Sequence, residues 1–371
     1  MTSPRLSPLG ELTRRALNDE TLEPLSTSEE EAWLEFLTER RLVPELSALP
    51  ARKALSMEAQ TRLAIERGRV EVLGRRRRAA VERVGAALHA EGVVAQLYKG
   101  EAVVRLTHGE LGRRPMSDLD LVVLPEQVAP AEAALTTAGF RRTGHDTALH
   151  TVWRLETGGV DGGEGLCLEL HLDLFPPPHP FDLQVGRFFE RGVEAGVPGL
   201  QLPGLVDAFL LQSFHLILFE QDGAKTWPTL RDLALLSRRL VDERGEEGVA
   251  ELCDEADRRG LGALARSTWT LAGVAGAPAW PKAVAPRAAP WRRALALRLS
   301  NGELVRGLAE DGTPRPRRLT RRFSAALWHE RSLTSARALV RGVLGTSSER
   351  SLGGTASRVG RHALALLRAR R

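Results

Sequence analysis

The stretch Arg114-Pro-Met-Ser-Asp-Leu-Asp-Leu-Val-Val-Leu124 combines a β-strand pattern with two carboxylates. Because side chains alternate across a strand, Asp118 and Asp120 share one face, while Leu119 and Leu121 share the other. Two carboxylates at the start of an apolar strand are costly to bury unless something neutralises them. Oxygen ligands at this spacing suit Mg²⁺, or Mn²⁺ in its place. The alternative is an aspartate pair that caps a turn, since an Asp-x-Asp sequence is common by chance.

A second predicted strand has polar residues at every other position. The stretch Leu166-Cys-Leu-Glu-Leu-His-Leu-Asp-Leu174 places Glu169, His171 and Asp173 on one face and leucines on the other. One interpretation is a half-exposed antiparallel strand with a polar outer face. If the strand instead lies beside the Asp-x-Asp strand, Glu169 supplies a third carboxylate to the same metal site. His171 would then orient substrate or transfer a proton.

A third candidate lies where a short apolar run, residues 93–98, ends at Lys99-Gly100. We expect a strand-to-helix junction here, where backbone amides favour phosphate and glycine permits close approach. Lys99 would add a positive charge. Only four of the 52 basic residues are lysines, which makes a lysine at this junction unusual. The alternative is an ordinary turn with a solvent-facing lysine.

The chain divides by pattern into four parts. Residues 1–92 are predicted to be helical, with a capping box at Ser28 and Glu31. Their four-arginine run at 75–78 is interpreted as a solvated helix face. Residues 93–180 are predicted to form an α/β core, which together with its flanking helices makes an α+β fold. A helical domain at 181–275 and a basic tail at 276–371 are predicted to follow. The predicted core elements are strands at 93–98, 119–124, 148–156 and 166–174 and helices at 101–106 and 126–139.

Composition narrows the classes of protein that fit. The 371 residues are 43% hydrophobic and 27% charged, which indicates two or three globular domains and excludes collagen-like and disordered chains. No apolar run reaches the roughly 18 residues of a membrane span. The N-terminus lacks the apolar segment of a signal peptide, so we expect a cytoplasmic protein. Cys167 and Cys253 are too few for a disulfide framework or a cysteine-based zinc site.

The net charge of +5 conceals an asymmetry. Residues 281–371 carry 20 basic and 5 acidic residues, a balance of +15, and the rest of the chain carries −10. Helices are predicted in this tail at 325–344 and 359–370. Trp291, Phe323 and Trp328 interleave with its arginines, a pattern that suits nucleic-acid contact. An anionic membrane surface and a poorly ordered arginine-rich appendage fit the same composition.

In order and spacing, Lys99-Gly100, the 114–123 stretch and Leu168-Glu-Leu-His171 together resemble the bacterial "uncharacterised nucleotidyltransferase" family of the DNA polymerase β-like superfamily. The resemblance covers about residues 25–250 and extends to His215 and the 227–236 stretch. It implies a small mixed-sheet polymerase-β-like nucleotidyltransferase domain between N-terminal and C-terminal helical regions. The implied reaction moves a nucleoside monophosphate from an NTP to an acceptor, which is a small molecule, a protein or RNA.

The resemblance also implies roles for individual residues. Asp118, Asp120 and Glu169 would be the catalytic carboxylates of a two-metal site that holds Mg²⁺, or Mn²⁺. The superfamily has a triphosphate-facing Gly-Ser turn at this strand end, whereas the present chain has Gly100 followed by Glu101. The residues that the resemblance places at the nucleotide are Lys99, Gly100, Arg114, Ser117 and His171.

A second hypothesis is a non-catalytic, nucleotide-sensing or antitoxin-like binding protein with the same fold. The three carboxylates favour an enzyme, while Glu101 and the basic tail leave room for the binding protein. Secondary candidates have structural alternatives: His215 fits a core histidine, and Trp227, Arg231 and Asp232 fit either an acceptor pocket or ordinary packing. The histidines at 145, 150 and 179 have no mutual spacing typical of zinc.

Overall fold

The computed structural model describes residues 6–109, 111–147, 149–155, 165–174, 185–218 and 223–281. The helices predicted in the basic tail lie outside these ranges. Within them, no helix is long and apolar enough to cross a membrane.

The described ranges contain ten α-helices and several short 3₁₀ or π turns. The helices are α1 Pro8–Leu17, α2 Thr27–Glu39, α3 Val43–Leu46, α4 Met57–Ala90, α5 Lys99–Val103, α6 Val128–Thr137, α7 Val185–Glu190, α8 Leu205–Leu218, α9 Gly223–Arg258 and α10 Gly262–Ala272. Helix α9 is kinked at Gly245, whose backbone is not helical. The capping box of α2 is formed by Ser26 and Glu29, two residues before the predicted pair.

Seven strands of the described chain form one mixed sheet, in the order β3-β4-β5-β2-β1-β7-β6. The pairs β2–β5 and β1–β7 are parallel, and the other neighbours are antiparallel. The structure therefore confirms the α+β class and the mixed sheet. The bounds are β1 Ala95–Tyr98, β2 Asp118–Val122, β3 Arg141–Arg142, β4 His150–Leu155, β5 Leu166–His171, β6 Val193–Glu194 and β7 Leu200–Leu202.

Two of these strands lie beyond the predicted end of the α/β core at residue 180. Strand β7 pairs with β1, and β6 pairs with β7, so residues 193–202 complete one side of the sheet. These strands have two and three residues, too few for an alternating pattern to appear in the sequence. On the central strands, Leu119, Leu121, Leu168 and Leu170 are fully buried, and the opposite face of the same strands carries the polar residues.

Helix α4 is continuous across Gly74. A Cβ atom at this position would lie 2.9 Å from the Cβ atom of Leu111 and 3.0 Å from its carbonyl oxygen. The glycine therefore lets the segment before β2 approach the helix closely. Its helix-breaking tendency, about 1 kcal/mol relative to alanine, is small against the packing of a 34-residue helix.

A buried charge network joins the two helical regions. Glu45 on α3 accepts hydrogen bonds from Arg113 and, 186 residues along the chain, from Arg231 on α9, each at 2.8 Å. Arg231 also donates to the carbonyl oxygens of Leu17 and Ala275. Burial lowers the pKa of Arg231, and Glu45 opposes this effect by stabilising the charged guanidinium. The network therefore depends on the carboxylate of Glu45.

We expect Glu45→Gln to lower the free energy of unfolding by about 3–5 kcal/mol, because it leaves a buried arginine without its counter-charge. Urea unfolding of the full chain measures this change. Glu35→Gln is the control: Glu35 is exposed on α2, and its replacement should change stability by less than about 0.5 kcal/mol. A loss below about 1 kcal/mol in Glu45→Gln would contradict the structural role of the network.

Candidate active site

The pairing of β2 with β5 brings three carboxylates onto one face of the sheet. Asp120 is the register partner of Glu169, and Asp118 is the partner of Cys167. Because the strands are parallel neighbours, residues in register project to the same face. The sequence left open whether these strands are adjacent, and the structure shows that they are. Asp120 is buried, while Asp118 and Glu169 are half-buried.

Lys99 provides the nearest positive charge. Its Nζ atom donates to Asp120 Oδ1 at 2.7 Å and lies 3.9 Å from Glu169 Oε2. The residue stands at the junction of β1 and α5, as predicted, and its backbone is left-handed with φ 49°. Such a conformation costs a non-glycine residue of order 1 kcal/mol and persists where the surroundings require it, often at functional sites. The lysine is therefore held at the carboxylates.

Two histidines complete the cluster. His171 Nε2 lies 2.8 Å from Asp120 Oδ1 and 3.3 Å from Glu169 Oε2. Strand β4 places His150 directly opposite His171, and the two rings are 5.1 Å apart. His150 Nε2 lies 3.9 Å from Glu169 Oε1. Among the predicted residues, Lys99 and His171 thus each lie within 4 Å of both Asp120 and Glu169.

His150 is the member that the sequence analysis missed. The signal lay in the two predicted strands at 148–156 and 166–174. If these strands pair as an antiparallel hairpin, position 150 lies within one residue of the position opposite 171. Histidine spacing along the chain does not reveal this position, because the sheet, and not the local sequence, places His150 beside Glu169 and His171.

The electrostatics of the cluster shift the pKa values of His171 and His150 in opposite directions. Burial alone would raise the pKa of Asp120, but Lys99 and the hydrogen bond from His171 hold it well below its ordinary value. The hydrogen bond from His171 likewise lowers the pKa of Glu169. Burial opposes protonation of His171, yet Asp120 and Glu169 together raise its pKa. Burial lowers the pKa of His150.

The cluster fits a divalent cation by its donor set. The ligand atoms of His150, Glu169 and His171 all lie within 4.8 Å of one another. Carboxylate oxygens suit Mg²⁺, whereas imidazole nitrogens suit transition metals, so this mixed set matches Mn²⁺ at least as well as Mg²⁺. Lys99 Nζ already contacts Asp120 Oδ1. An ion bound at Asp120 would therefore share this carboxylate with the lysine.

Arg114 lies in a different set of contacts. Its Nε is 2.9 Å from both carboxylate oxygens of Asp232 on α9, and its Nη2 is 2.7 Å from Oδ2. Gln212 Nε2 also donates to Asp232, at 3.2 Å. The arginine expected at phosphate is therefore held by a buried carboxylate from the helical region that follows the sheet.

The remaining predicted positions surround the β1–α5 junction. A Cβ atom on Gly100 would lie 2.6 Å from the Met116 sulfur and 2.8 Å from Arg114 Nη1, so a larger residue here would require both side chains to shift. Glu101, which replaces the expected serine, is buried and ion-paired with Arg105 at 2.8 Å. Its charge is thereby neutralised within the fold. Ser117 is exposed immediately before Asp118.

The secondary candidates are packed into the helical region. Trp227 is fully buried with its ring edge-on to Phe36, and His215 is half-buried. Arg231 and Asp232 bind Glu45 and Arg114 respectively. These contacts support the packing alternative that the sequence left open for the tryptophan and for the two charged residues.

The fold and the site together define an α+β protein whose mixed sheet carries a carboxylate–imidazole cluster with one lysine. A family model described as "Uncharacterised nucleotidyltransferase" matches residues 27–272, which is more than half of the chain. The chain therefore belongs to this family, as the resemblance predicted. No curated protein and no solved structure matches the chain at a significant level. A bacterial source and the polymerase β-like superfamily stay predictions.

The pKa shifts predict different titrations for the two histidines. In chelator-treated protein, an NMR pH titration should show His171 titrating above the ordinary imidazole value and His150 below it. Because the folded-state pKa of His171 is raised, its stabilising contribution is complete below the unfolded pKa of about 6.5 and is lost as pH rises through the folded value. In Asp120→Asn the pKa of His171 should fall. Identical titration of both rings would contradict this electrostatic description.

Replacing Lys99 tests whether it neutralises the cluster. Lys99→Met should lower the free energy of unfolding by about 1–3 kcal/mol, since a buried carboxylate loses one of its charged partners. Urea unfolding at neutral pH measures the change. Lys53→Met is the matched control, because Lys53 is exposed. A Lys99→Met protein as stable as the wild type would show that His171 alone suffices.

Proposed function

We propose that this protein is a divalent-metal-dependent nucleotidyltransferase that moves a nucleoside monophosphate from an NTP to an acceptor. The observation that carries the proposal is the register pairing of Asp120 with Glu169, beside Asp118, on adjacent parallel strands of a chain from this family. Mg²⁺ or Mn²⁺ is the proposed ion. Asp118, Asp120 and Glu169 would hold it, with His150 as a further donor.

When bound, the metal would neutralise phosphate charge and lower the pKa of the acceptor hydroxyl. The side chains have separate tasks. Lys99, with 22% of its side chain exposed, offers an ammonium group to a phosphate oxygen. His171 orients Asp120 through the 2.8 Å hydrogen bond. Gly100 has no side chain and lets Met116 and Arg114 pack closely against the β1–α5 junction.

The second candidate, a non-catalytic nucleotide-binding protein, is favoured by one specific observation. The two cations expected at the phosphates are both engaged inside the fold, Lys99 by Asp120 and Arg114 by Asp232. A protein that binds nucleotide without turning it over does not need a free cation, because no negative charge develops on phosphate oxygens as it would during transfer. Pyrophosphate release separates the candidates, because a sensor binds NTP without producing it.

The first test of the proposal is nucleotide binding. Thermal unfolding should be measured with each of the four NTPs and Mg²⁺ or Mn²⁺. Ligand at about 100 times its Kd should add about 2.7 kcal/mol of stability. The gain should vanish in the Asp118→Asn/Asp120→Asn variant and remain in Asp254→Asn, an exposed aspartate on α9. No gain with any NTP and metal would overturn the proposal.

The second test is transfer itself. NTP labelled at the α-phosphate should be incubated with separate small-molecule, protein and RNA fractions, and both labelled product and pyrophosphate should be measured. Loss of an outer-shell partner typically lowers metal affinity or activity by about 10- to 100-fold. Loss of the carboxylates themselves should therefore reduce transfer by more than about 100-fold. Binding without pyrophosphate release in any fraction would favour the sensor.

A further inference from the structure

A groove opens beside residues 115–117, which lead into the strand of Asp118 and Asp120. It has a volume of about 670 Å³ and is walled by α2, the start of α3, the first half of α4 and residues 115–117. Ser117 is part of its lining and immediately precedes Asp118. The volume lies in the range of about 300–1,000 Å³ that is typical of small-molecule sites. The groove is thus suited by size and place to a second substrate.

Its walls are strongly positive. The charged residues among its lining are Arg41, Arg62, Arg69, Arg77 and Glu66. Glu66 lies 3.8 Å from Arg69 and offsets that charge. Three arginines remain without compensation from within the lining. Such a surface attracts an anion, because guanidinium groups bind phosphate and carboxylate with matched geometry.

Arg77 is the exceptional member of this set. The predicted solvated face holds for Arg75, Arg76 and Arg78, which are exposed, but Arg77 is only 4% exposed. It donates one hydrogen bond, from Nη2 to the carbonyl oxygen of Met116 at 2.9 Å. Its Nε is buried and has no partner among the described residues. The structure also shows no described carboxylate within ion-pair distance.

A buried guanidinium in this state is incompletely satisfied. Burial lowers the pKa of Arg77, while the more distant charges of Glu101 and Asp118 counteract that effect. Buried charges in proteins are normally paired or hydrogen-bonded throughout. Since Arg77 lines the groove, an anionic group entering from solvent can supply the missing partner.

Most of the remaining lining is apolar. Ile65 has 68% of its surface exposed and Leu73 has 40%, and both line the groove together with Leu63, Val70 and Met116. No aromatic residue is among the lining residues. Stacking of nucleic-acid bases, which relies on aromatic side chains, is therefore disfavoured. An aliphatic or otherwise apolar body beside an anionic group fits the surface better.

We propose that this groove binds the acceptor, and that the acceptor is a small molecule with a phosphate or carboxylate group beside an apolar body. Its role as acceptor rests on the proposed function, whereas the binding does not. In the reaction the acceptor hydroxyl oxygen bonds to the α-phosphorus of the NTP. The bond from this phosphorus to pyrophosphate breaks, pyrophosphate keeps the electron pair, and the hydroxyl proton passes to solvent.

Titration calorimetry of the full chain, without metal or NTP, tests the binding. The probes are hexyl phosphate, hexanoate, hexanol and inorganic phosphate. Hexyl phosphate or hexanoate should bind more tightly than hexanol and inorganic phosphate, and the stronger of the two identifies the anionic group. Arg77→Gln should weaken that binding by about 10- to 100-fold, the loss expected for hydrogen bonds to a charged group. Arg78→Gln, its exposed neighbour on α4, is the matched control and should bind as the wild type does.

Equal affinity of wild type and Arg77→Gln, or failure of both hexyl phosphate and hexanoate to bind more tightly than hexanol, would overturn the proposal. If Arg77→Gln does not fold, the exposed pair Arg62→Gln/Arg69→Gln replaces it, with about tenfold weaker binding expected and unchanged affinity overturning the proposal. The Asp118→Asn/Asp120→Asn variant should bind the probe normally. Probe binding without nucleotidyl transfer would therefore reject the proposed function and leave the anion site standing.

Discussion

The parallel pairing of β2 with β5 is the constraint on which the site depends. It sets Asp120 beside Glu169 on a largely buried sheet face, where two like charges repel each other and neither is well solvated. Lys99 and His171 offset this repulsion, since both lie within hydrogen-bond distance of Asp120. Because a folded protein has only a small margin of stability, this arrangement exists only if the surrounding structure holds it in place.

The surrounding helices supply that support through charge as well as through apolar packing. Glu45 ties α3 to α9, and Asp232 on α9 ties the same helix to Arg114, four residues before the carboxylate pair. The N-terminal and C-terminal regions are therefore not independent attachments. They fix the segment from which β2 starts, and so they fix the position of Asp118 and Asp120.

The local parts of this description could be predicted from sequence. Because side chains alternate along a strand, Asp118 and Asp120 could be placed on one face of their strand, and Glu169 and His171 on one face of theirs. Lys99-Gly100 indicated where the preceding strand ends. Contacts between distant residues could not be predicted, because no local pattern encodes the partner. Asp232 beside Arg114 and the short strands at 193–202 belong to this group. Arg77 shows the same limit: within four consecutive arginines, only tertiary packing decides which one is buried.

Helix α4 has one more consequence for the molecule. Its 34 residues make a rod about 50 Å long, with the first half in the groove wall and a later part packed on β7. An uninterrupted hydrogen-bonded helix yields less to a displacement at one end than a loop does. A shift of its first turns would therefore reach the side of the sheet completed by β6 and β7, which makes α4 a mechanical link between that edge and the mouth of the groove.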